Sequence, residues 1–359
     1  MSLAEVLLTF VGGTIVVWLF MTFLVVISKV GRDRREIVSK DRRGRYRDAL
    51  GVADTDQLEA ACRELAGNEA AQVDMLAALE VVAAGPRAID SFRDADRRHQ
   101  LSESLEFQSC GEAPVARGIS TLLLARMGLD RRTTVAAGLL QDEDADVRLA
   151  ACSALAEIGT NAAARSLIQA LRESLMPAER LIERLGAPWA NEEVLLALND
   201  SDDPHLRVAL IRVLGLSPDP RALELLIHFS RHSEEIEERI SAIRTLGSTG
   251  LGETVLPVLC PALDDESPAV RAQAARAIGA IYDSRPPDAP DESNVTAKQL
   301  RRCLGDQDWW VRANAATSLR SLGSAGELQL RDALDDPDEF SRARARESLA
   351  LLESKRAAG

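Results

Sequence analysis

Pro268 to Ile278 reads PAVRAQAARAI, and the same arrangement of apolar, basic and small residues returns along the chain. It appears as DVRLAACSAL from Asp146, HLRVALIRVL from His205 and WVRANAATSL from Trp310. Counting the residue before the arginine as zero, apolar or small side chains recur at +4, +5 and +8. They are Val147, Ala151, Cys152 and Leu155; Leu206, Leu210, Ile211 and Leu214; Val270, Ala274, Ala275 and Ile278; and Val311, Ala315, Ala316 and Leu319. Those offsets form one stripe of an α-helix.

Weaker copies begin at Ala116, Glu238 and Ser341, so the marker arginines are Arg117, Arg148, Arg207, Arg239, Arg271, Arg312 and Arg342. Their separations are 31, 59, 32, 32, 41 and 30 residues, a period that belongs to stacked helical hairpins. The double gap is expected to hold a degraded repeat around Pro177 to Gly186. The 41-residue gap contains YDSRPPDAPDESN, whose prolines and acids predict an inserted loop at 282–294. Acidic turns precede the marker helices: QDEDAD, NDSDDP, DDESP, GDQD and DDPDE. Asp and Ser cap helix N-termini, and Pro204, Pro268 and Pro337 suit a first helical turn. A second apolar segment lies ahead of each turn, such as NEEVLLAL from Asn191 or ETVLPVLCPAL from Glu253, so each unit is predicted to be a two-helix hairpin. Only 4% of residues are aromatic; with Ala, Leu, Arg and Glu abundant, the fold class expected is all-α.

The acidic turn followed by Val-Arg and the Ala-Ala pair (Val270, Arg271, Ala274, Ala275; Val311, Arg312, Ala315, Ala316), with Pro257 inside a first helix, resembles the HEAT repeat family and its bacterial HEAT-like branch. The resemblance covers about Ala113 to Leu352. It implies a right-handed α-solenoid with the second helices lining a concave face, a protein-binding role, and a ladder in which marker arginines meet turn aspartates of neighbouring repeats. Arg148, Arg207, Arg271 and Arg312 are structural on that basis.

The first 50 residues differ from the rest. Val6 to Ile27 contains no charge and would span about 33 Å as a helix. It is followed by a basic block, so a single transmembrane helix is expected to precede the repeats. The positive-inside rule then predicts a single-pass protein of the cell membrane, with its N-terminus outside and its repeats cytoplasmic. The expected organisation is an anchor at 1–29, a basic juxtamembrane segment at 30–53, degenerate helical repeats at 54–112, and HEAT-like repeats at 113–359. Lys29, Arg32, Arg34, Arg35, Lys40, Arg42 and Arg43 are the candidates for lying against anionic headgroups.

The net charge is −13, of which residues 1–50 contribute +4, leaving −17 for the remainder. So acidic a body disfavours nucleic acid as a partner. The second helices nevertheless carry twelve arginines against four glutamates. After the six marker positions in these helices are set aside, six arginines remain against four glutamates, and Arg212, Arg244, Arg276 and Arg320 among them are the candidates for contacting an acidic partner. Trp309 and Trp310 are two more candidates, because adjacent helix residues cannot both face the core and tryptophan is a common interface anchor; packing against the 282–294 loop is the alternative.

Chemistry is sparse. Cys62, Cys110, Cys152, Cys260 and Cys303 have no metal-ligand spacing and are expected to be buried thiols. His228 and His232 stand four apart with Glu235 nearby, but no third strong ligand is specified. No phosphate loop or nucleophile elbow appears, and neither a cofactor nor a metal is expected. The predicted function is a membrane-tethered cytoplasmic scaffold or adaptor, not an enzyme, binding a protein partner, with other membrane proteins among the candidates. The alternatives are a HEAT-like enzyme resembling bilin lyases or alkylpurine DNA glycosylases, and a structural organiser that forms a homo-oligomer.

Overall fold

A computed structural model describes residues 35–358, apart from 67, 83, 84, 130, 250, 251 and 286–293. The described residues are helical throughout, with no strand among them. The chain divides into two compact units, Met1–Ile158 and Gly159–Gly359.

Among the described residues no helix is long and apolar enough to cross a membrane. The longest of the helices in the second unit, Glu339–Ala358, reads EFSRARARESLALLESKRAA and is charged along its length. The run Val6 to Ile27 lies outside the described residues. The single-pass, cell-membrane placement with outside-to-inside direction is therefore not supported.

The first unit comprises α1 (residues 35–52), α2 (Thr55–Leu65), α3 (Glu69–Val81), α4 (Pro86–His99), α5 (Leu101–Ser109), α6 (Pro114–Arg126), α7 (Arg132–Leu139) and α8 (Ala145–Ile158). Its core is built from large side chains, with Tyr46, Leu58, Met75, Phe92, Leu101 and Leu105 all shielded from solvent. Tyr46 lies in the basic segment and donates its hydroxyl to Glu64 at 3.0 Å. Arg42 is drawn into the same unit. Its guanidinium pairs with Asp74 at 3.0 Å and Glu64 at 2.9 Å, and its side chain is 12% exposed. Arg43 pairs with Asp74 at 3.4 Å. These two cations are satisfied within the fold, whereas Arg35 and Lys40 are exposed; Lys29, Arg32 and Arg34 lie outside the described residues.

The second unit repeats a hairpin. First helices are α9 (Asn161–Arg172), α11 (Asn191–Asp200), α13 (Leu223–His232), α15 (Leu256–Leu259), α17 (Asn294–Arg302) and α19 (Gly323–Asp332). Second helices, called B helices below, are α10 (Ala178–Leu185), α12 (Pro204–Leu216), α14 (Ile236–Ser248), α16 (Pro268–Asp283), α18 (Trp309–Ser321) and α20 (Glu339–Ala358). The degraded repeat is real: α10 buries Leu181, Ile182 and Leu185, the +4, +5, +8 stripe with its arginine missing. The first helix predicted from Glu253 is instead one α-turn between 3₁₀ segments at Gly252–Val255 and Pro261–Asp264. Pro261 has no N–H to return to the Pro257 carbonyl, and that carbonyl accepts from Arg231 of the preceding hairpin at 3.2 Å. At the expected loop, Tyr282 and Asp283 complete α16 and Asn294 opens α17, while 286–293 lies outside the described residues.

B helices stack directly on one another. Gly247, at +9 of α14, leaves room for Ala277, at +7 of α16, whose Cβ would lie 2.8 Å from an added Cβ. Gly279 of α16 meets Ser318 of α18 the same way, with that Cβ at 2.9 Å. The hydroxyls at +7 tie the helices further. Thr245 donates to the Ile211 carbonyl at 3.2 Å and Ser318 to the Ala275 carbonyl at 2.7 Å, in each case the +5 carbonyl of the preceding B helix. These contacts hold equivalent positions of adjacent B helices side by side.

Four cysteines are buried as expected, but Cys110 is exposed. It follows the last residue of α5, where the chain turns and no helix covers it. Burial pushes the Cys62 and Cys303 thiols up to about 12, so both remain protonated and unreactive.

Candidate binding surface

Two rows of arginine run across the B helices. The first row, at +1, is structural. In each repeat the marker arginine turns back onto its own acidic turn: Arg271 donates to the Asp265 and Glu266 carbonyls at 2.9 and 3.1 Å, and Arg312 to those of Asp306 and Gln307 at 2.7 and 2.9 Å. Arg117, Arg148, Arg239 and Arg342 each clamp two carbonyls in the same way, while Arg207 reaches Ser201 alone. This clamp satisfies turn carbonyls that would otherwise need solvent.

The other edge of the guanidinium reaches the next repeat. Arg271 grips Asp306 with two bonds at 2.8 and 2.9 Å, Arg117 grips Asp142 at 2.8 Å twice, and Arg239 grips Asp265 at 3.1 Å twice. The aspartate is held from behind as well, since Asp306 and Asp142 each accept the N–H two residues on at 2.8 Å. The Arg117 hydrogen bonds hold the Asp142 carboxyl below its ordinary pKa. At Asp306 burial pushes the pKa up, and the Arg271 bonds with the Asp308 N–H overcome it, leaving it lowered.

The ladder is less uniform than the repeat pattern suggests. Where Ser233 replaces the turn aspartate, the buried Glu238 on α14 takes its place and accepts from Arg207 at 2.6 Å. Arg312 stacks on the Phe340 ring, 4.3 Å from its centroid. Arg148 has its Nε buried without a hydrogen-bond partner. The weakest sequence copies, at Arg117 and Arg239, thus carry full bidentate pairs.

The second row lies at mid-helix. Arg212, Arg244 and Arg276 occupy +6 of α12, α14 and α16. In α18 the +6 residue is Thr317, and Arg320 donates back to its hydroxyl at 3.2 Å, bringing a guanidinium to the same level. Arg212 meets Glu179 of α10 at 2.6 Å. Arg244 and Arg276 are exposed, and among the described residues no carboxylate pairs with either. Neither α12 nor α18 contains an acidic residue, and those of α14 and α16 sit at the helix ends.

Trp309 and Trp310 open α18 beside this row. Both reach the surface, 48% and 63% exposed, in edge-to-face contact with ring centroids 4.7 Å apart. Phe340, the equivalent of Trp310 on α20, is 54% exposed, and Arg344 of α20 lies over Trp309 at 5.1 Å. The N-terminal edge of α18 and α20 therefore carries exposed aromatic rings, with Arg312 and Arg344 stacked on them, beside the acidic turns that open both helices. Of the metal candidates, His228 and His232 have ring centroids 5.3 Å apart, and among the described residues no group of three or more His, Cys, Asp or Glu could hold an ion. The turn acids act as caps: Asp308 accepts from the Trp310 and Val311 N–H groups, and Asp144 from those of Asp146 and Val147.

Family models match the repeats by sequence. Family models described as HEAT repeats match residues 191–278, 230–292 and 256–350, and one described as HEAT repeat matches 135–162. No curated protein matches the chain. Among solved structures, an engineered protein is 18% identical, covering 86% of this chain and 98% of its own, with a TM-score of 0.38. Human deoxyhypusine hydroxylase in complex with glycerol is 20% identical, covering 85% and 99%, with a TM-score of 0.31. The karyopherin Kap121p bound to Ste12p is 14% identical, covering 83% of this chain and 45% of its own, with a TM-score of 0.39. On the matched repeats, the chain belongs to the HEAT repeat family.

Proposed function

We propose that the protein is a non-catalytic scaffold that holds an acidic protein partner on the exposed face of its B helices. Arg212, Arg244, Arg276 and Arg320 supply the cationic row, and Trp309 and Trp310 supply an aromatic contact at its edge. The observation that carries this reading is the state of Arg244 and Arg276. Two exposed arginines on adjacent B helices have no carboxylate among the described residues, in a unit whose other arginines are largely engaged. Such a row steers an acidic surface into place and fixes its register. Large exposed aromatics beside it are the residue type that anchors interfaces.

The test is crosslinking and capture with the full chain. R244E/R276E is expected to release the captured partner while its circular dichroism and unfolding midpoint match the parent. W310A is expected to weaken capture further. A partner held equally well by the charge-reversed chain removes this reading.

A further inference from the structure

The spacing of the row restricts what can lie on it. The +7 to +5 hydrogen bonds and the glycine contacts at +9 keep equivalent residues of α14, α16 and α18 abreast. Successive guanidiniums are therefore separated by about the distance between packed helix axes, ~8–10 Å. A ligand that meets each of them needs acidic groups at that interval and on one side.

Three regular conformations can be compared. A β-strand advances about 3.3 Å per residue with side chains alternating, so same-face residues fall ~6.6 or ~13 Å apart and miss the interval. An α-helix meets it only at every seventh residue, ~10.5 Å, and would need an apolar groove to receive its body. The positions flanking the arginines are instead small or polar. Gln273 and Asn314, both half-buried, stand at +3, and Thr317 is exposed at +6 of α18. Asn314 uses its amide nitrogen on the Ala272 carbonyl at 3.0 Å, leaving its side-chain oxygen as an acceptor. A polyproline-II segment has three residues per turn and rises about 3.1 Å per residue, so every third side chain lies on one edge ~9.3 Å apart. It matches the row in both distance and phase, and its unpaired main chain suits amide and hydroxyl neighbours such as Gln273, Asn314 and Thr317.

Resting on the reading above, we infer that the arginine row binds an extended, polyproline-II segment of a partner that carries a carboxylate at every third residue. Arg244, Arg276 and Arg320 take three successive carboxylates, and a fourth replaces Glu179 on Arg212.

Fluorescence anisotropy with the full chain tests this, using two labelled peptides of identical composition: four Glu-Pro-Pro triplets, and four adjacent glutamates followed by eight prolines. The periodic peptide is expected to bind roughly three- to thirtyfold more tightly, the gain from two further exposed charge pairs. R244A/R276A is expected to abolish that preference, and added salt to weaken binding. Equal affinity for the two peptides overturns the inference, as does absence of binding to either. If peptides fail while R244E/R276E still releases a captured partner, the scaffold reading survives and only the extended-segment inference is lost.

Discussion

Arg271 and Arg276 stand five residues apart on one helix, yet their surroundings differ in every respect that matters. Arg271 is saturated: two carbonyls of its own turn and both oxygens of Asp306 take its donors, and its side chain is 18% exposed. Arg276 is exposed and meets no carboxylate among the described residues. Position in the repeat, not residue type, decides which arginine holds the stack and which faces a partner. The +1 position points at the neighbouring turn, whereas at +6 Arg244 and Arg276 are exposed and Arg212 reaches Glu179 of α10.

The ladder is the costliest part of the stack to lose. Asp306→Ala strands the half-buried Arg271 guanidinium and frees the N–H of Asp308, so a loss of about 2–4 kcal/mol is expected in urea unfolding. The next effect in size concerns how closely the helices approach. Gly279→Ala places a methyl against Ser318 and is expected to cost about 1–3 kcal/mol, with recovery when Ser318→Gly is added. Acid acts on the same ladder more gently. Asp142 and Asp306 have folded pKa values below the ordinary 3.8, so the stability they contribute is present above that value and lost as pH falls through the folded values. The thermal midpoint should therefore drop below about pH 4, and Asp306→Asn should flatten that drop. Smallest of all, Arg276→Ala should change stability by less than about 0.5 kcal/mol.

Much of this architecture is legible in the sequence, for a physical reason. B helices such as α12 and α18 are amphipathic on a fixed stripe and begin with a capping aspartate, so both period and start are written locally. The candidates Arg212, Arg244 and Arg276 fall at +6 of the same register once the marker positions are removed, and Arg320 falls at +9. What escapes depends on contacts between repeats. Arg117 and Arg239 make full pairs although their helices match the stripe poorly, because the pair depends on Asp142 and Asp265 some 25 residues on. Glu238 replaces a turn aspartate from a helix, which no local pattern announces. The glycines at +9 look like helix-weakening residues until the neighbouring +7 side chain is seen against them.

Charge runs mislead in a related way. The basic block before residue 50 reads as a juxtamembrane segment whose cations meet headgroups, yet Tyr46 is buried and Arg42 is paired with Asp74 and Glu64. Its acidic partners lie more than 20 residues downstream, in α2 and α3. Pro257 marks a first helix in the repeat pattern, but it is Pro261 that breaks that helix and releases the carbonyl used by Arg231.

The most direct measurement compares Arg271→Ala with Arg276→Ala in the full chain, each scored for urea midpoint and for retention of a captured partner. Arg271→Ala is predicted to lower the midpoint clearly, while Arg276→Ala leaves it in place and weakens capture. A destabilised Arg276→Ala, or one that holds its partner as well as the parent does, would contradict the division of labour between the two rows.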